Sequence, residues 1–403
     1  MTGPMTTPLP HTQQDIRRRN LSLVMHALAT QGPLSRATVA GQIGLTRAAV
    51  SSLVDELVRG GLLVELGPEQ PSGTVGRPGS ALALGKRGPV GIGAEIGVDH
   101  LAVCAVDLCG KVRARATAEG SNRGRPPEPV LKELGELVRQ VTDAARGSGL
   151  RPAGLAVAVP GLVARGTRTV VRAPNLDWAD VDLGAAFPYS GGLSVDSLSV
   201  DNEANLGALA ELWIGGDPAP QDFVHVSAEI GIGAAVVVEG RLLRGTHGFA
   251  GELGHVPVRP EGPRCPCGGR GCLEQYAGEE AVLRAAGLAQ AAVGRPVDLL
   301  AERADRGDPA VRRALRGAGG ALGIALAGAV NLLDPQAVVL GGALSRLAPW
   351  LLPSLERELA RRTADPARPS LIVSRLGSEG PLLGAAHCVV RAVLDDPAAY
   401  AAR

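Results

Sequence analysis

Apolar Ile16, Leu21, Val24 and Leu28 recur at three- to five-residue intervals between Gln13 and Thr30 and predict a helix that Gly32-Pro33 ends. Ser35 then suits the N-cap of a short second helix carrying Val39, Ala40 and Ile43, and Gly44 supplies a turn. Thr46 suits the cap of a third helix, with Val50, Leu53, Val54, Leu57 and Val58 on its inner face and Gly60-Gly61 at its end. Leu62–Leu66 and Ser80–Leu84 read as two strands joined by the loop 68–79, with Arg77 near its tip. Two helices across a glycine turn followed by such a hairpin predict a winged helix-turn-helix over residues 1–87. The outward positions of the third helix are Thr46, Arg47, Ala48, Ser51 and Ser52, short or basic side chains that let a helix approach base edges and phosphates. With Ser35 and Arg77 they are the candidate contacts to operator DNA.

Past Gly85–Pro89, a candidate linker, residues 88–403 follow a different pattern. The strand Val90–Ile96 leads into Glu95-Ile96-Gly97-Val98 and then alternating Leu101, Val103 and Ala105. Ala228-Glu229-Ile230-Gly231-Ile232, followed by Ala234–Val238, repeats that strand, glycine turn and strand. Two such lobes about a cleft suit a nucleotide or a small polar ligand, because glycine turns let backbone N–H groups approach phosphate. Leu155–Val159 and Ala337–Leu340 are further strands, and Val130–Ala145 and Ala310–Val330 are helices, which together predict an α/β frame. Chemistry is expected at the strand ends near Gly161, Asn175, Asn202, Gly231 and Gly341.

Length agrees with this division, since 403 residues exceed one ordinary core. The net charge of +1 excludes a chain that is basic throughout, but residues 1–87 hold nine Lys/Arg against five Asp/Glu. Met1–Asn20 lacks the apolar run of a secretory leader, and the uncharged stretch Gly317–Leu333 is short of a bilayer span and reads as a buried helix. A cytoplasmic protein without membrane contact is expected. Arg outnumbers Lys throughout, in acidic and basic regions alike, and this bias carries no functional weight.

Six cysteines in a reducing compartment point to metal rather than disulfides. Cys265, Cys267 and Cys272 fall within eight residues, and His255 lies ten residues before the first. Three thiolates and an imidazole form the closed tetrahedral shell of structural zinc. Cys104, Cys109 and Cys388 stand alone in apolar surroundings and are expected in cores. Near the cluster in sequence are Glu252 and Glu274, and elsewhere Asn175 and the run Asp201-Asn202-Glu203-Ala204-Asn205 offer the carboxylates and amides that a polyhydroxylated ligand needs.

A winged helix followed by Gly251-Glu252-Leu253-Gly254-His255 and by Cys265-Pro266-Cys267-Gly268-Gly269-Arg270-Gly271-Cys272-Leu273-Glu274 resembles the ROK family of repressors, open reading frames and sugar kinases. The resemblance implies a two-lobed, actin-like ATPase domain of the hexokinase type fused to an operator-binding head. It implies zinc on His255, Cys265, Cys267 and Cys272, and a sugar among Asn175, Asn202, Glu203, Glu252, His255 and Glu274. The Asp-Asn-Glu-Ala-Asn form resembles that of the family's xylose-type repressors.

Three departures separate the chain from the family's kinases. Glu95-Ile96-Gly97-Val98-Asp99 stands where a kinase has an Asp-x-Gly-Gly-Thr loop, and Ser227-Ala228-Glu229 stands where it has Gly-Thr-Gly, which sets a carboxylate where phosphates approach. Glu203 replaces the Asp that serves as general base, and one extra methylene displaces the carboxylate by about 1 Å, enough to lower a rate on the order of 10²-fold. The sequence therefore predicts a sugar-responsive repressor that binds no ATP and works as a homodimer or a dimer of dimers. The rival is an ATP-dependent sugar kinase with a fused head.

Overall fold

In the computed structural model, the described residues are 12–67, 80–186, 197–216, 218–228, 230–289, 295–364 and 368–401. Helix α1 (Gln13–Gln31) is held by a reciprocal cap in which Thr12 Oγ1 accepts from Asp15 N–H and Asp15 accepts from Thr12 N–H. A two-residue strand β1 (Leu34–Ser35) leads into α2 (Arg36–Ile43), capped by Ser35 and closed by left-handed Gly44. Helix α3 (Arg47–Arg59) is capped by Thr46 and buries Val50, Leu53, Val54 and Leu57. Strands β2 (Leu63–Glu65) and β3 (Ala81–Leu84) pair antiparallel, and β1 joins the free edge of β3. The extra strand β1 was not legible in the sequence. Arg77 and the rest of the loop 68–79 lie outside the described residues.

The first lobe carries β4 (Pro89–Ile96), β5 (His100–Asp107), β6 (Val112–Glu119), α4 (Pro127–Gly147) and β7 (Arg151–Val159). A small sheet β8 (Leu162–Val163), β9 (Thr169–Ala173) and β10 (Trp178–Asp182) follows, then α5 (Leu183–Ala186), β11 (Leu198–Asn202) and α6 (Glu203–Ile214). The second lobe carries β12 (Phe223–Ala228), β13 (Ile232–Val238), β14 (Arg241–Leu243), α7 (Glu274–Ala277), α8 (Glu279–Ala285), α9 (Pro296–Asp305), α10 (Pro309–Leu333), β15 (Ala337–Gly341), α11 (Gly342–Arg362) and β16 (Ser370–Val373). Helices α12 (Gly380–Asp395) and α13 (Pro397–Tyr400) end the chain.

The two large sheets share one plan. Their orders are β11-β7-β4-β5-β6 and β14-β13-β12-β15-β16, each an antiparallel meander extended by two parallel strands. The repeated glycine hairpin is therefore the start of a repeated lobe. Helix α10 runs 25 residues, longer than the uncharged stretch, and is long and apolar enough to cross a bilayer, but Leu315, Leu322 and Leu326 are buried in the second lobe's core.

Small residues in β4 and in α12 itself let α12 lie between β4 and α6. A Cβ on Gly93 would come 2.5 Å from the Ala386 backbone nitrogen, and a Cβ on Gly384 would come 2.0 Å from the Leu206 carbonyl oxygen. The head is seated on the same helix. Leu21, Val24 and Met25 of α1 share one apolar cluster with Ala386, Val390, Val393 and Leu394 of α12. His26 Nε2 lies 2.7 Å from Asp395, and Arg18 pairs with Asp396.

Candidate ligand cleft and metal centre

Between the lobes opens a cleft of about 650 Å³, and Asn175, Asn202, Glu203, Glu252, His255 and Glu274 all line it. Asn175 follows β9, Asn202 and Glu203 stand where β11 becomes α6, and Glu252, His255 and Glu274 come from the second lobe. The residues do not serve alike. Asn202 is the N-cap of α6: its Oδ1 accepts from Ala204 N–H at 2.8 Å, and its Nδ2 donates to the Gly161 carbonyl at 2.8 Å. It fixes the helix start and ties it to the loop after β7. Glu203 follows it without a hydrogen-bonding partner among the described residues, and burial, reinforced by the Glu95 carboxylate, pushes its carboxyl up to about 7.

On the opposite wall Glu274 accepts from Ile232 N–H at 3.2 Å. Gly231 is small because a Cβ there would lie 2.4 Å from Glu274 and 3.4 Å from Asn175 Nδ2. The second glycine turn therefore brings side chains from both lobes together. Glu252 sits 3.6 Å from His255 Nε2, and burial raises its carboxyl above the ordinary range while His255 opposes the shift.

His255 presents its other nitrogen to the cysteines, with Nδ1 3.8 Å from Cys265 Sγ. Cys267 and Cys272 are 3.7 Å apart, and one donor atom from each of the four residues falls within 4.8 Å of the others. Tetrahedral metal–sulfur bonds of about 2.3 Å place ligand atoms about 3.8 Å apart, so this group can hold a metal ion. Gly269 N–H donates to Cys267 at 3.4 Å, and backbone bonds from Cys265 to Gly269 and from Gly268 to Cys265 close the loop on itself. The Glu252 carboxylate beside Nε2 is placed to orient the imidazole.

Cys104 is buried as expected and Cys388 is partly so, whereas Cys109 is exposed, because it lies two residues past the end of β5 in the turn to β6. Glu229 lies outside the described residues. In the head, Arg47, Ala48 and Ser52 are exposed, while Ser51 is half-buried and its carbonyl accepts from Arg36 at 3.2 Å. Ser35 and Thr46 spend their hydroxyls as caps, accepting from Thr38 N–H and Ala49 N–H. The sequence reading missed Arg123, Arg172, Arg264 and Arg284 in the cleft wall. In a chain this rich in Arg, only the position of Arg264 beside Cys265 was a signal.

Architecture and site define a class: a winged head joined to a two-lobed, actin-like domain with a His-Cys₃ centre at the edge of its ligand cleft. The chain belongs to the ROK family, whose model matches residues 91–392. It is 30% identical over 385 residues to the xylose repressor of Bacillus subtilis, covering 95% of this chain and 98% of that protein. It is 27% identical over 393 residues to the DNA-binding transcriptional dual regulator NagC of Escherichia coli, covering 94% of each. A ROK family transcriptional regulator homologous to the E. coli Mlc protein superposes with a TM-score of 0.79 at 26% identity over 94% of this chain and 97% of its own. A ROK glucokinase from Streptomyces griseus, solved with glucose and AMPPNP, superposes with a TM-score of 0.65 at 27% identity over 74% of this chain and 98% of its own.

Proposed function

We propose that this protein is a sugar-responsive transcriptional repressor: residues 1–87 bind operator DNA, and residues 88–403 bind a sugar in a cleft that does not phosphorylate it. The observation that carries the reading is the convergence of six amide, carboxylate and imidazole side chains in one cleft, on a chain that matches repressors through its head as well as its body. Asn175, Glu203, Glu252 and Glu274 exchange hydrogen bonds with the sugar hydroxyls, and Asn202 holds the loop and helix that present them. Zinc on His255, Cys265, Cys267 and Cys272 has a structural part, since four protein donors leave no position open for a substrate. It fixes the His255 side chain and the loop preceding Glu274.

Sugar binding acts on the head through helices already in contact. Glu203 opens α6, α6 packs on α12, and α12 carries α1. A sugar that prefers one lobe arrangement shifts the position of the heads on a homodimer or dimer of dimers, and with it the fit to a two-fold operator. Arg47, Ala48 and Ser52 face the bases. The protein works in the cytoplasm, and Glu203 accepts a hydrogen bond where a kinase's shorter Asp would take a proton.

The likeness to a glucokinase favours a second reading, phosphoryl transfer. A thermal-shift panel of free aldoses, amino sugars and phosphorylated sugars, each with and without Mg·ATP, separates the two. A ligand at a hundred times its dissociation constant stabilises by about 2.7 kcal/mol. One sugar raising the melting point, with nothing added by Mg·ATP, is the expected outcome. Sugar-dependent ADP release would overturn it.

A further inference from the structure

The turn between β4 and β5 holds a feature that neither the sugar site nor the metal centre uses. The His100 ring lies against Gly97, so close that a Cβ on Gly97 would sit 2.4 Å from Cε1 and 2.5 Å from Nδ1. Two carboxylates pin the ring: Asp99 at 2.7 Å from Nδ1 and Glu95, which is buried, at 3.8 Å from Nε2. Part of the turn's backbone is also engaged. Gly97 N–H donates to the His100 carbonyl at 3.0 Å, and the Asn122 side chain donates to the Gly97 and His100 carbonyls at 2.8 and 3.1 Å.

A glycine turn admits phosphate because nothing covers its backbone and its N–H groups are free. Here an imidazole covers it. The bonds to Asp99 and Glu95 push His100 up to about 10, so the ring is a cation at neutral pH. Glu203 at the start of α6 faces Glu95 and His100, and Asp99 in turn faces Glu279 at the start of α8 and Arg295 before α9. Carboxylates dominate this junction, and His100 offsets them from within.

We infer that His100 is a resident counter-cation, filling the space that a divalent metal and the phosphates of a nucleotide would need and making the cleft answer to its sugar alone. This rests on the sugar-sensor reading for its consequence, but its test does not depend on that reading. A carboxylate such as Glu95, freed of its imidazolium, is a hard oxygen ligand for Mg²⁺ or Mn²⁺. Removing the ring would open the turn and leave the Glu95 and Asp99 carboxylates free to take a metal and, with it, a nucleotide.

The experiment is titration of the full-length protein, wild type, His100→Gly and His100→Ala, with Mn²⁺ alone and with Mg·ATP, followed calorimetrically. The wild type is expected to bind neither below about 1 mM, and the variants to bind both at least about tenfold tighter. Sugar-induced melting shifts in the same variants verify that the cleft is intact. A wild type that binds Mg·ATP below about 1 mM overturns the inference, as do folded variants that gain neither ligand. Absence of any sugar response in the wild type would instead count against the sensor reading and leave the metal and nucleotide titrations decisive for His100.

Discussion

Glu203 couples the stability of the fold to pH. Its carboxyl is raised from an ordinary 4.5 to about 7, so the folded protein holds this proton more tightly than the unfolded chain does. The associated stability is complete below about 4.5 and is lost as pH rises to about 7, with a ceiling of about 3 kcal/mol. Glu203→Gln, which needs no proton to stay neutral, is therefore expected to melt higher than the wild type at pH 8 and level with it near pH 4.5. Equal melting-point differences at the two pH values would show that folding does not raise this carboxyl. At the metal centre, Cys267→Ser removes one of four donors and is expected to lose bound zinc and lower the melting point, with elemental analysis as the check. Full zinc content in that variant would refute the ligand assignment. Arg47→Ala is expected to weaken DNA retention in a gel shift while leaving the sugar-induced melting shift unchanged.

At the scale of elements, legibility followed local signals. The three head helices could be read because Ser35, Thr46 and the glycines mark their ends, and those caps are present. Strand β1 could not, because two residues carry no periodicity. Helix α6 was missed for a different reason: Ala204 to Glu211 are buried in succession, so no polar face alternates with an apolar one. The metal loop was legible because all its donors but His255 are close in sequence, whereas the arginines of the cleft wall come from separated loops that only folding unites. Nor could the seat of His100 on Gly97 be read from spacing. The glycine in α12 gives an element-scale prediction. Gly384→Val would drive a side chain into the Leu206 carbonyl. It is expected to destabilise by about 2–4 kcal/mol in denaturant melts. A loss below about 0.5 kcal/mol would show that α6 and α12 are not in close contact.

Across the whole molecule, the head is part of the body's packing. Gly60, at the end of α3, meets Ala401 near the chain's end, and Arg151 at the start of β7 donates to the Gly60 carbonyl at 3.2 Å. Together with the His26–Asp395 and Arg18–Asp396 pairs, this makes α12 and α13 the platform on which the head rides. The central claim is that sugar in the cleft controls DNA at the head, and one measurement addresses both ends. A randomised duplex pool is passed over the protein to select the sequence it prefers, and binding of that duplex is followed by fluorescence anisotropy as each free sugar is added. The account predicts enrichment of a two-fold symmetric site and its release by the sugar that raises the melting point, with no need for ATP. No enriched sequence, or a selected site whose binding ignores that sugar, would contradict it.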